Sequence, residues 1–80
     1  MTLKNADLAN TPCPRGTRIE IDGLGIVTIT VVDDLLVGVH TAFRMLTEMD
    51  MDLRELLNLI TILEFDETKK LLKVRIATCS

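Results

Sequence analysis

The side chains able to do chemistry are few and scattered. His40 is the only histidine. On a helix it shares a polar face with Arg44 and Glu48, each four residues further on. A general base needs a nucleophile or a substrate pocket within hydrogen-bond reach, and the sequence places none beside it. The trio His40, Arg44 and Glu48 therefore reads as a solvated face or a partner contact. Asp50 and Asp52 form a D-x-D, but a calcium loop also needs a Gly at its sixth position and a terminal Glu. Both are absent here: Met51 intervenes between the two carboxylates and Leu53 follows them, and N-capping of a helix accounts for Asp52. Asp33-Asp34 has the same capping explanation. Gly23-Leu24-Gly25 lacks the third glycine of a dinucleotide fingerprint and runs into a strand pattern, whereas a phosphate site needs a helix N-terminus. It reads as a turn.

Lys69, Lys70, Lys73 and Arg75 form a basic strip that Arg15 and Arg18 could extend. Glu64, Asp66 and Glu67 lie beside it, and no stacking aromatic accompanies it. Lysines on a strand edge also block unwanted pairing, so Lys73 and Arg75 are candidate partner contacts, with nucleic acid disfavoured. Met45, Met49 and Met51 are expected to fill the core where two helices meet. Cys13 lies between two prolines, with only Arg15 near it in sequence to lower its pKa. Two cysteines in a reducing compartment read as free thiols; a Cys13–Cys79 bridge would require the N-terminal segment beside the last strand. No catalytic constellation, metal site or cofactor motif emerges, so the expectation is not an enzyme, with no cofactor.

These residues must be held by a short chain. Eighty residues make one domain. The hydrophobic share is 48%, yet Phe43 and Phe65 are the only aromatics, so the core must be aliphatic. So many aliphatics on so small a chain predict a homo-oligomer, a dimer first. The formal net charge of −3 argues weakly against a protein devoted to gripping a phosphate backbone. Uncharged runs such as residues 23–32 fall short of the roughly 18–20 apolar residues of a membrane span. The N-terminus has no continuous apolar signal segment, which makes the cytoplasm the expected location.

Residues 60–78 carry the clearest pattern, a hairpin around the loop Glu67-Thr68-Lys69-Lys70. Counting outward puts Asp66 opposite Leu71, Phe65 opposite Leu72, Leu63 opposite Val74 and Thr61 opposite Ile76 on one face. Glu64 then meets Lys73, Ile62 meets Arg75 and Ile60 meets Ala77 on the other. That register leaves Ile60, Ile62 and Ala77 as an outward apolar patch. With Ile26 they are the candidate oligomer interface.

Residues 17–32 form a second hairpin with two competing registers. An Asp22-Gly23 turn sets Arg18 opposite Val27. A Gly23-Leu24-Gly25 loop is preferred, pairing Ile21 with Val27, Ile19 with Ile29 and Thr17 with Val31, and using Gly25 for a left-handed conformation. Projection of residues 33–49 gathers Leu35, Val39, Ala42, Phe43, Leu46 and Met49 on one helix face. Val37 is the one violator, Asp33 or Asp34 is the N-cap, and Gly38 implies a close approach. Asp52 begins a short second helix that carries Leu53, Leu56 and Leu57. Pro, Asn and Gly mark residues 1–16 as a flexible tail whose deletion, through residue 14, should leave folding intact.

The predicted fold is a small single α+β domain over residues 17–80. Its order is β-β-α-α-β-β, with an antiparallel sheet of two hairpins packed against one longer amphipathic helix and one short helix. The predicted function is a non-enzymatic interaction or regulatory protein, acting as an adaptor, inhibitor or regulatory subunit by protein–protein binding. Its rivals are a nucleic-acid-binding regulator using the basic C-terminal hairpin, and a small-ligand or nucleotide binder at a subunit interface.

Overall fold

The structure, a computed structural model, describes residues 3–77. The α+β class and the order of hairpins and helices are as predicted. Strands β2 (Arg18–Ile21) and β3 (Gly25–Thr28) form the first hairpin, and β5 (Ile60–Asp66) and β6 (Leu71–Ile76) the second. Between them run α1 (Leu35–Thr47) and α2 (Leu53–Leu59). A short bridge joins β1 (Pro12–Cys13) to β4 (Asp33–Asp34) at the entrance to α1.

The four-stranded sheet has the order β3-β2-β6-β5. Each hairpin is antiparallel, but the inner strands β2 and β6 run parallel, Ile19 opposite Leu72 and Ile21 opposite Val74. The sheet is therefore mixed rather than antiparallel throughout. Parallel neighbours need a crossover, and the helical segment between the hairpins supplies it. One face carries Ile19, Ile21, Val27, Leu72, Val74 and Ile76 into a core closed by Leu35, Leu36, Val39, Ala42 and Phe43 of α1 and Leu56 of α2. The other face alternates charge across the parallel pair: Lys73 Nζ lies 3.3 Å from Glu20, and Arg75 reaches Asp22 at 3.2 Å.

Both helices start where the carboxylates predict. The Asp34 side chain accepts from the Val37 N–H at 2.9 Å, and the Asp52 side chain from the Arg54 N–H at 3.2 Å. These bonds satisfy donors that the first helical turn leaves without partners. Gly38, expected to admit a sheet or a second helix, has the N-terminal segment as its nearest neighbour instead: a Cβ there would stand 3.0 Å from Cys13 Sγ.

Three further expectations are corrected. The 17–32 hairpin takes neither of the two registers: Ile19 faces Val27 and Ile21 faces Gly25. The faces are those expected, but the pairing is offset by two residues from the preferred one. Gly23 (φ 81°) and Gly25 (φ 138°) both adopt the left-handed region, and the space above Gly25 is taken by Leu46. In the second hairpin the pairs near the turn are as predicted. A bulge between Ile62 and Glu64 then leaves Leu63 as the extra residue, so Ile62 faces Val74 and Thr61 faces Arg75. The extra residue inverts the inward–outward alternation beyond it. It turns Ile60 and Ile62 toward the core and Thr61 outward, a change that hydrophobic burial favours.

The third correction concerns the N-terminal segment, which is packed on the domain rather than peripheral. A 3-10 helix, Asn5–Asn10, carries Leu8 into the core at 0% exposure, and Cys13 is equally buried. Asn5 Nδ2 donates to the carbonyls of Leu57 and Ile60. The Thr11 carbonyl accepts from the Leu35 N–H at 2.9 Å.

Candidate functional site

The predicted partner-binding residues do not converge. His40 is not on a solvated face: its side chain is mostly buried, and Nε2 donates to the Met51 carbonyl at 2.6 Å. Asp50 lies 3.9 Å away. The imidazole thus pins the α1–α2 connection. Arg44 and Glu48 are exposed, and their backbones make the helix C-cap, the Glu48 N–H donating to the Arg44 carbonyl with Glu48 at φ 62°. Replacing His40 by Ala is expected to cost about 1 kcal/mol, the worth of one hydrogen bond and the packing around it. Faster amide exchange should be confined to the 48–52 connection; unchanged exchange there would mean that the imidazole pins nothing.

Lys73 and Arg75 point from the open sheet face but are each spent on a carboxylate, Glu20 of β2 and Asp22 just after it. Arg18 donates to the Lys69 carbonyl and Lys70 Nζ to the Arg15 carbonyl. Arg18, Lys70, Lys73 and Arg75 are thus each held by a partner, while the described residues offer no side-chain partner to Lys69 or Arg15, and exposed pairs of this kind are worth about 0–1 kcal/mol each. The expected oligomer interface also disperses. Ile60 is 3% exposed within the chain's own core, and Ile62 is half-buried against that core. Ala77 is exposed at the far end of β6, and Ile26 is exposed on the opposite edge strand. The Cys79 half of the postulated bridge lies outside the described residues. Burial pushes the Cys13 thiol pKa up, Asp34 and Asp33 add to the rise, and a hydrogen bond with Thr17 opposes it. A raised thiol pKa disfavours the nucleophilic thiolate.

Among the described residues no group of three or more His, Cys, Asp and Glu could hold a metal ion. No described helix is long and apolar enough to cross a membrane.

The structure assembles a different site. A groove of about 260 Å³ runs between α1 and the segment that leaves β3. Val37, Thr41 and Met45 line one wall and residues 28–31 the other. Val37 is the residue that broke the two-faced pattern of α1, and with Thr41 and Met45 it forms a stripe at four-residue spacing. The two-residue offset of the first hairpin builds the opposite wall. In the expected register Val31 would pair with Thr17; instead Ile29 takes that place, its N–H donating to the Thr17 carbonyl at 2.8 Å. Val31 and Val32 are thereby thrown clear of the hairpin, 67% and 66% exposed.

The methionines do not all fill the core as expected. Met51 packs against it, whereas Met45 is 64% exposed on the groove and Met49 is exposed after the helix. The groove borders β3, an outer strand of the sheet. Val27 and Ile29 pair inward with β2, so alternation leaves the N–H and C=O of Ile26 and Thr28 on the free edge. Comparison with protein-family models, curated proteins and solved structures gives no match.

Proposed function

We propose that this chain is a non-enzymatic interaction module of the cytoplasm, an adaptor, inhibitor or regulatory subunit, that binds a protein through the β3 edge and the groove beside it. The observation that carries this reading is the coincidence of exposed Val31, Val32 and Met45 with backbone donors and acceptors on β3 that are unpaired among the described residues. Apolar side chains beside a free edge are the two ingredients of strand addition: main-chain hydrogen bonds supply affinity and adjacent pockets take alternate side chains. The Cys13 thiol is buried, and Lys73 and Arg75 are paired with Glu20 and Asp22, so neither offers a comparable feature.

The test is a double substitution, Val31→Asp with Met45→Asp. Both residues are exposed, so the unfolding free energy should stay within about 0.5 kcal/mol of the parent. Stoichiometric capture of a protein partner from host lysate should be lost, while a variant with Lys69, Lys70 and Lys73 changed to Glu retains it. Capture that survives the groove substitutions and fails on charge reversal would transfer the binding face to the basic hairpin.

A further inference from the structure

We infer that the strand seated on the β3 edge is β3 of a second copy of this chain, paired antiparallel about a two-fold axis at Val27. The inference rests on the reading of that edge as the binding face and names its occupant.

The two outer strands of the sheet are built differently. The β5 edge is defended: Asn5 covers its start by donating to the Ile60 carbonyl, a bulge interrupts it at Leu63, and Glu64 and Asp66 follow. Bulges, charges and covering segments are the ordinary means of blocking edge-to-edge pairing. Among the described residues the β3 edge has none of them. Residues 23–32 contain no charged side chain and no proline.

That neutrality selects the partner. About a two-fold axis each residue lies near its own counterpart, so any charge on the strand would meet its like and repel. A run of ten residues without charge satisfies this condition, and it offers nothing for a charged partner to read. At β5 the same operation would bring Glu64 and Asp66 toward their own copies.

The register follows from which groups are free. Ile26 and Thr28 are the β3 residues whose N–H and C=O face outward. Pairing Ile26 with Thr28 of the second copy, and Thr28 with its Ile26, is the only antiparallel alignment that satisfies both from within β3. A shift of one pair in either direction uses the Leu24 turn or Thr30, which lies beyond the strand. The two-fold axis stands normal to the sheet, so the four-stranded sheets join into one continuous sheet. Both α1 helices remain on the same face. The grooves with Val31 and Met45 then flank the junction, and half-exposed Ile26 is covered by the neighbouring Thr28.

Sedimentation equilibrium of the full chain from about 1 μM to 1 mM, with amide exchange at both ends of the range, tests this. A four-residue edge with a small groove is a short interface, and dissociation in roughly the micromolar range is expected. The Ile26 and Thr28 amides should slow as concentration rises. Thr28→Pro removes an outward N–H from each copy and should weaken association roughly ten- to hundred-fold. Ile26→Lys, which alters only an exposed side chain, should do the same and covers the case in which the proline variant fails to fold.

A chain that stays monomeric to 1 mM, or a dimer indifferent to Ile26→Lys with unchanged Ile26 and Thr28 exchange, overturns the second copy as occupant. If partner capture is still lost with Val31→Asp/Met45→Asp, the interaction reading stands with another occupant. If capture also survives those substitutions, both readings fail.

Discussion

Deleting residues 1–14 is expected to unfold the protein. The segment looks expendable by composition, yet it holds the open end of the core. Leu8 is fully buried within the core cluster, and the 3-10 helix that carries it packs against both α1 and α2. Truncation of one such leucine to alanine costs about 2–5 kcal/mol. Deletion also removes Cys13, which is equally buried, and the Thr11 carbonyl that accepts the first N–H of α1. It frees the Leu57 and Ile60 carbonyls from Asn5 at the turn from α2 into β5. A chain of this size has roughly 4–12 kcal/mol of total stability at the usual 0.05–0.15 kcal/mol per residue. The loss is therefore comparable with the whole. Circular dichroism should show no cooperative thermal transition for the truncated chain, and its amide spectrum should collapse in dispersion. Leu8→Ala alone should fold, with its urea midpoint lowered in proportion to a loss of about 2–5 kcal/mol and an unchanged slope. A truncated chain that melts cooperatively within a few degrees of the full one would show that the core closes without Leu8.

What could be read from sequence is what local chemistry determines. Asp34 and Asp52 cap the helices because a carboxylate beside free N–H groups is favourable whatever the tertiary structure. The turn at residues 67–70 and the pairs next to it follow from charge and alternation. The first hairpin fixed its faces but not its register. Gly23 and Gly25 both adopt positive φ, so the presence of a glycine could not choose between loops two residues apart. The bulge at Leu63 escapes strict alternation extended through Ile-Thr-Ile-Leu. A pattern that puts Thr61 inward and Ile60 outward was itself the sign that the alternation breaks. The N-terminal segment is illegible in the sequence for another reason. Its anchoring bonds, Asn5 to Leu57 and Ile60, span more than fifty residues, and no local pattern encodes them. The groove inherits the register error: Val31 is a core residue in one register and a surface residue in the other. Only Val37, out of place on α1, signalled it beforehand.

The second large effect is expected at Gly38, where α1 packs against Cys13 of the N-terminal segment. Two terms oppose one another for a larger residue at this position. Replacing glycine in a helix interior gains up to about 1 kcal/mol of backbone entropy and propensity. Against that, the new Cβ would lie 3.0 Å from Cys13 Sγ and 3.8 Å from Ile19 Cδ1. Cys13 is 0% exposed, as is Ile19, so the sulfur can move only into occupied space, and overpacking of this kind costs about 1–3 kcal/mol. With Gly38→Val the branched methyl groups meet both neighbours, and a net loss of about 2–3 kcal/mol is expected by urea denaturation. Gly38→Ala isolates the cause. In the parent it should be neutral or destabilising, because the clash offsets the helical gain. In a Cys13→Ala background the sulfur is gone, and the same substitution should stabilise by up to about 1 kcal/mol. A coupling of 1 kcal/mol or more between the two sites is within the range seen for residues in contact. Equal effects in both backgrounds would place the constraint elsewhere in α1. Gly38 also lines the groove with Val37 and Thr41, so a shift of α1 that relieves the clash with Cys13 changes the groove as well. A Gly38→Val chain that still folds should therefore lose binding at the β3 face, although the substituted side chain lies beneath that face rather than on it.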